Sequence, residues 1–436
     1  MRVHGNDGTG ARRLLALGNH RHRLLVFSIV LAILALLATG CSGVAAHTAP
    51  HVKRVTRPAV RIVITPVSGA RDARPTRGVT VTVSHGTLQA VTVAHGQDMV
   101  RGKLNAARTA WHTSWPLQPG RAYKVWATAM GSAQQAVTET SAFRTLRPAH
   151  TVHASVLEGY HQAYGVGIPI MITFSHPVTR KAAVERSIRL RTSKPVVGAW
   201  YWDSSTSLVF RPRTYWPQHT RVSFVAHLDG LEVAPGVYGT ADLSQSFHIG
   251  ASLIAVVSAR THYENIYYRG KLMGHWPVST GAPGDDTADG TYLTIEKGNP
   301  VLMSGPGYTN FPVPYSVRFT WSGNFMHDAY WSVGEQGFAN VSHGCVNMSP
   351  EHARIYYDLA VPGDPVTITG SPVAGGWDDG WTEWFLGWKQ LLRGSATHRA
   401  VKAGPSGSSL AGPATLPPTR AKAPLHRPRP HNALAA

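Results

Sequence analysis

Two short stretches decide how this chain is read: Asn324-Phe325-Met326-His327-Asp328 and, further on, Ser342-His343-Gly344-Cys345-Val346-Asn347. Fourteen residues separate His327 from Ser342. A thiol attacks only as thiolate, so a nucleophilic cysteine needs a base or a positive field to bring its pKa down from about 8.5. His327 and His343 are the candidate bases. His343 lies two residues before Cys345, and if that segment is extended both side chains share one face. His327 belongs to a different segment and would approach from across a sheet. Gly344 has no Cβ to hold a substrate carbonyl away, and the N–H groups around Gly344 and Cys345 are candidates for an oxyanion hole.

The chain has only one other cysteine, Cys41. Arg12, Arg13, Arg21 and Arg23 precede an apolar run from Leu24 to Ala38, the layout of a basic n-region before an h-region. The run ends in Leu37-Ala38-Thr39-Gly40-Cys41, which resembles a bacterial lipobox and makes residues 1 to 40 a signal peptide and Cys41 the lipidated residue. A simple N-terminal membrane anchor is the alternative. Either way the rest of the chain is exported, and disulfides cannot stabilise a protein whose exported part holds a single thiol. Such a thiol is a liability unless it is used.

With 436 residues there is room for two to four domains, and 43% hydrophobic against 15% charged residues excludes a wholly disordered chain. Forty-three Gly and 30 Pro speak against long helices. Residues 41 to 58 read as a tether. From 59 to 147, short alternating runs such as Val79-Thr80-Val81-Thr82-Val83 predict a β-sandwich, and 148 to 250 repeats the style with Pro169-Ile170-Met171-Ile172-Thr173-Phe174. Tandem immunoglobulin-like domains are the simplest account. A third unit, 251 to 371, opens and closes with strands and carries a helical stretch from Pro350 to Leu359. A Trp-rich extension, 372 to 394, has Trp377, Trp381, Trp384, Phe385 and Trp388 at spacings that suit a short amphipathic helix packed back on that unit. Residues 395 to 436 read as a disordered basic tail.

Read whole, a His, this gap and then Ser-His-Gly-Cys-x-Asn resembles the signature of bacterial L,D-transpeptidases of peptidoglycan. The resemblance extends to Val278-Ser279-Thr280-Gly281 and Thr287-Ala288-Asp289-Gly290-Thr291-Tyr292, and the domain order is similar to actinobacterial members. It implies an all-β protein, two immunoglobulin-like sandwiches followed by a catalytic β domain. It implies that Cys345 attacks the third residue of a peptide stem, expels D-Ala and passes the thioester to a second stem's amine, a 3-to-3 cross-link. His327 is then the base, oriented by the backbone carbonyl of Asp328; His343, Gly344 and Cys345 supply the oxyanion hole and its support. Tyr308, Ser322, Gly323, Ser342 and Asn347 match substrate-contacting positions. A carbapenem is expected to acylate Cys345. The alternatives are a carboxypeptidase that passes the same acyl group to water, and a catalytically silent wall-binding lipoprotein.

Asp328 departs from the small polar residue common in relatives, and a carboxylate there is expected to raise the pKa of His327. One relative binds a cation in its second domain through acidic residues, and the comparable stretch, Gly230 to Gly236, has Pro where an acid would be needed, so no metal is expected there, and no cofactor is implied. Twenty-three His with one exported Cys do not form a zinc pattern. Asp285-Asp286 and Asp378-Asp379 read as solvated turns rather than as a glycosidase pair. The formal charge is +19, yet residues 251 to 392 hold seven cations against thirteen acids, a net of −6, which leaves +25 on the flanks. Export removes nucleic acid as a partner. The flanks are suited instead to anionic lipid and wall polymers.

Overall fold

The computed structural model describes residues 58 to 411, apart from Ala133, Tyr160 and Pro306. The signal peptide, most of the tether, Cys41 and the tail beyond 411 lie outside the described residues. The first domain places Arg61–Thr65, Thr80–Ser84, Ala110–Thr113 and Gly102–Leu104 in one sheet. Asp98–Met99, Gly86–His95, Ala122–Gly131 and Ala136–Arg144 make the other. Strict alternation buries Val81 and Val83 on one face and leaves Thr80 and Thr82 in solvent, as an antiparallel sheet with one wet face requires. Val79, Leu88, Val125 and Ala127 fill the space between the sheets.

The second domain repeats the sandwich. One sheet holds Ala163–Tyr164, Leu243–Ile249, Arg221–Ala226 and Ile188–Thr192; the other begins with Ala154–Val156, Ile170–Phe174, Ser207–Pro212 and Val196–Trp202. That second sheet is completed by Val401–Gly404 and Gly407–Leu410, with Val196 opposite Ala403 and Gly198 opposite Val401. A tail without structure from 395 is therefore wrong as far as residue 411. Charge and Gly-Pro content hid a hairpin, because its partner strand is some two hundred residues away and leaves no trace in local periodicity.

Glu185 holds the returning chain in place. Its buried carboxylate accepts hydrogen bonds from Trp202 Nε1 (2.9 Å), Ser395 Oγ (2.8 Å), Ala396 N (2.6 Å), Thr397 N (3.1 Å) and Thr397 Oγ1 (2.7 Å). The Trp-rich extension also differs from the single helix expected. Glu383–Phe385 is one 3-10 turn, Trp388–Gly394 a short helix, and Trp377 and Trp381 sit in loop. Phe385 does pack on the catalytic unit, against Tyr292 (5.1 Å). Trp381 instead joins the core of the second sandwich, and Trp384 donates to Gly167 O (2.7 Å) beneath the Arg211 guanidinium.

The catalytic unit is built on a five-stranded sheet, Lys271–Pro277, Tyr263–Tyr268, Leu253–Ser258, Pro365–Thr369 and Gly290–Leu293. Beside it lies a four-stranded sheet of Glu296–Gly298, Ser316–Arg318, Phe325–Asp328 and Val346–Met348. The helix Pro350–Leu359 starts as the sequence predicts, with Pro350 in the first turn and Ser349 Oγ accepting from His352 N. The hairpin Val301–Gly305/Tyr308–Val313 stands over the second sheet's end.

Replacing Glu185 by Ala would leave those donors facing a buried void, and the expected cost is about 3 kcal/mol or more. Urea denaturation should show it, together with faster proteolysis between 395 and 411.

Candidate active site

Parallel pairing of Phe325–Asp328 with Val346–Met348 sets Met326 against Val346 and His327 against Asn347. The base candidate is thereby brought beside the strand that follows the thiol. His327, Cys345, His343, Ser342, Asn347, Tyr308, Ser322 and Gly323 all line one cavity of about 1020 Å³.

The imidazole of His327 is buried, and its Nδ1 is 2.7 Å from the Asp328 carbonyl oxygen. A carbonyl can only accept, so the proton is on Nδ1 and Nε2 keeps its lone pair. Burial pushes the imidazole down to about 4, with that hydrogen bond opposing the shift. Trp331 lies against the ring at a centroid distance of 5.8 Å. The Asp328 carboxylate does not raise the imidazole pKa as expected. Neighbours on a strand point to opposite faces, and Asp328's own side chain is buried and itself pushed upward by desolvation.

Cys345 is half-buried, and burial pushes its thiol up to about 11. Its Sγ points at the Gly323 carbonyl oxygen, 3.9 Å away. Thiol and imidazole are therefore both neutral near pH 7. The expectation that His343 and Cys345 share a strand face fails for a local reason. Gly344 has φ +112°, the strand begins only at Val346, and His343 is exposed against Tyr308 at 5.6 Å.

The loop between them is tied internally. Ser342 Oγ donates to Cys345 O (2.6 Å) and accepts from Gly344 N (3.1 Å). Thr287 Oγ1 donates to Gly344 O (2.8 Å) and accepts from Gly281 N (2.9 Å). Ser342, at the cavity wall, thus braces the loop, and the Gly344 N–H is already used. The N–H of Cys345 itself is the backbone donor nearest the thiol along the chain. Asn347 is buried and donates through Nδ2 to Ser332 Oγ (2.9 Å), so its amide is largely occupied in shaping the cavity wall. Ser322 is also engaged: its N–H and hydroxyl both go to Asp379, at 2.6 and 2.7 Å. Thr287 and Asp379 are the residues that sequence reasoning missed. Thr287 stood in a motif that signalled a turn without signalling its partner, and Asp379 looked like half of a solvated acidic pair.

Among the described residues no group of three or more His, Cys, Asp or Glu could hold a metal ion. The stretch from Gly230 to Gly236 has a different occupation: Thr76 of the first domain donates to Gly230 O (2.9 Å) and accepts from Glu232 N (2.9 Å).

A cysteine and a neutral, oriented imidazole on the wall of one open cavity are the groups that nucleophilic acyl transfer uses. Residues 252 to 368 match the family described as L,D-transpeptidase catalytic domain, and residues 70 to 232 match that described as bacterial Ig domain. The chain is 32% identical to L,D-transpeptidase 2 of Mycobacterium tuberculosis over 331 residues, 73% of this chain and 80% of that protein. It is 36% identical to L,D-transpeptidase 1 of the same species over 253 residues, 56% of this chain and 94% of that protein. Among solved structures it resembles an LD transpeptidase in complex with imipenem (36% identity, TM-score 0.43, 51% of this chain and all of that one). It also resembles the L,D-transpeptidase from Mycobacterium smegmatis (31%, TM-score 0.41, 50% and 99%). The chain belongs to the L,D-transpeptidase family.

Three outcomes follow from this geometry. Alkylation of Cys345 by iodoacetamide should rise about tenfold per pH unit from 7 to 10, because the thiolate fraction grows toward a pKa of about 11; a preformed ion pair would give a flat profile. Asp328→Ser should leave the acidic limb of acylation, set by His327 near 4, unmoved. A Cβ at Gly344 would sit 2.8 Å from Asn324 Oδ1 at a φ of +112°, so Gly344→Ala should lower acylation by about a hundredfold, read by intact mass against time.

Proposed function

We propose that this protein cross-links peptidoglycan stems 3-to-3 through a thioester on Cys345. The carrying observation is the His327 imidazole, neutral and held by its Nδ1 to the Asp328 carbonyl oxygen, in the same cavity as a neutral thiol. Cys345 Sγ attacks the carbonyl of the third stem residue as His327 Nε2 takes the thiol proton. The Cys345 N–H is placed to donate to the oxyanion. Collapse breaks the peptide bond, and the imidazolium gives its proton to the departing D-Ala amine. The acceptor stem's side-chain amine then attacks the thioester, His327 removes its extra proton, and that proton returns to sulfur as the new amide forms. Tyr308 and Gly323, at the cavity's edge, would contact the donor stem.

In this reading the chain is exported, anchored through lipid on Cys41 to the outer face of the membrane, and its basic flanks are drawn to anionic lipid and wall polymers. The family membership, the N-terminal sequence and the placement of charge support it. A role in building the cell wall follows from the substrate. Because a relative has been solved with imipenem bound, a carbapenem is the natural probe.

Incubation with a carbapenem should add one equivalent to the wild-type mass, and Cys345→Ala should abolish the adduct. Purified tetrapeptide stems should then yield dimers with loss of D-Ala. Tripeptide without dimer would mean that water is the acceptor, and no adduct on folded, reduced protein would leave only a wall-binding role.

A further inference from the structure

The Trp-rich segment does more than cover the catalytic unit. Its Asp379 reaches back across the cavity rim and binds Ser322 twice, Oδ1 accepting from the backbone N–H at 2.6 Å and Oδ2 from the hydroxyl at 2.7 Å. Two short hydrogen bonds to one carboxylate fix both the position and the orientation of a loop. The loop concerned is Thr320 to Asn324. Thr320 Oγ1 accepts from Asn324 N (2.8 Å), and Phe319 N donates to Asn324 O (3.0 Å), so the five residues form one closed turn. Gly323, next to Ser322, has φ +106° and turns its carbonyl oxygen onto Cys345 Sγ. Asn324 stands against Gly344, close enough that a Cβ on that glycine would be 2.8 Å from Asn324 Oδ1.

Asp379 is itself held rigidly. Gly380 follows it with φ +116°, and a Cβ there would meet the Phe319 carbonyl oxygen at 2.9 Å. Trp381 is buried, packs edge-on to Trp321 of the same loop at 6.3 Å, and belongs to the core of the second sandwich. Thr382 Oγ1 donates to the Trp377 carbonyl oxygen and closes the turn. The acid is thus anchored on one side to the immunoglobulin-like domain and on the other to the rim of the active site.

We propose that Asp379 is a positioning residue for acyl transfer, which clamps the Ser322-Gly323 turn over Cys345 and so sets the width of the cleft where the donor stem lies. The docking of the second sandwich against the Trp-rich segment is transmitted to the Ser322-Gly323 turn through this carboxylate, alongside the Trp381–Trp321 contact. The role rests on Cys345 being the acylated residue.

The test uses the full chain with Asp379→Ala, Asp379→Asn and Ser322→Ala, reading the second-order rate of carbapenem acylation, the rate of iodoacetamide alkylation and the melting temperature. Asp379→Ala should acylate about tenfold more slowly. Iodoacetamide is small and needs no donor cleft, so its rate should change less than about threefold. Asp379→Asn, which keeps a carbonyl oxygen for the Ser322 N–H, should recover part of the loss, and Ser322→Ala, which loses only the hydroxyl contact, should fall between. Wild-type acylation rates in Asp379→Ala would overturn the positioning role alone. So would equal losses of acylation and alkylation, or an Asn variant no better than Ala at equal melting temperature. Absence of any adduct on the wild type would overturn the transpeptidase reading, and this one with it.

Discussion

The site depends on the parallel pairing of Phe325–Asp328 with Val346–Met348. Parallel neighbours need a long crossover, and here the crossing chain is the segment from Ala329 to Cys345. It must return to the sheet, turn sharply, and present a thiol at the strand's N-terminal edge. Gly344 allows the turn, and hydrogen bonds from Ser342 and Thr287 hold it. Without that pairing His327 and Cys345 would be two unrelated polar residues in a β domain.

Burial then settles the electrostatics. Charging either partner means taking it out of water, so the imidazole is pushed down and the thiol up, and both stay neutral at rest. A nearby carboxylate could have reversed this, but strand alternation turns Asp328 away and leaves only its carbonyl oxygen on the base. At rest the cavity holds a neutral thiol and a neutral imidazole rather than a standing thiolate, and a neutral thiol is less open to oxidation than a thiolate.

The units are less separable than their sequence boundaries suggest. The chain leaves the catalytic unit, lays Trp381 and Trp384 into the second sandwich, passes the Glu185 carboxylate and ends as two strands of that sandwich's sheet. Residues 395 to 411 therefore belong to a domain whose other strands close at Ile249. The first domain docks on the second through Thr76 and through Trp115, which stacks between His227 and Arg189.

By itself the sequence determined the strand-rich class, the helix at Pro350–Leu359 and the order of units, and it singled out His327 and Cys345, which line one cavity. These rest on local periodicity, capping and motif, which are written in consecutive residues. Tertiary structure alone decided what depends on residues far apart. It tied Ser322 to Asp379 and Asn347 to Ser332, bound the Gly344 N–H to Ser342 Oγ, and gave the terminal strands to a distant sheet. A hydrogen bond across fifty or two hundred residues has no period and no spacing, and a side chain's role is fixed by whichever partner burial brings within three ångströms or so.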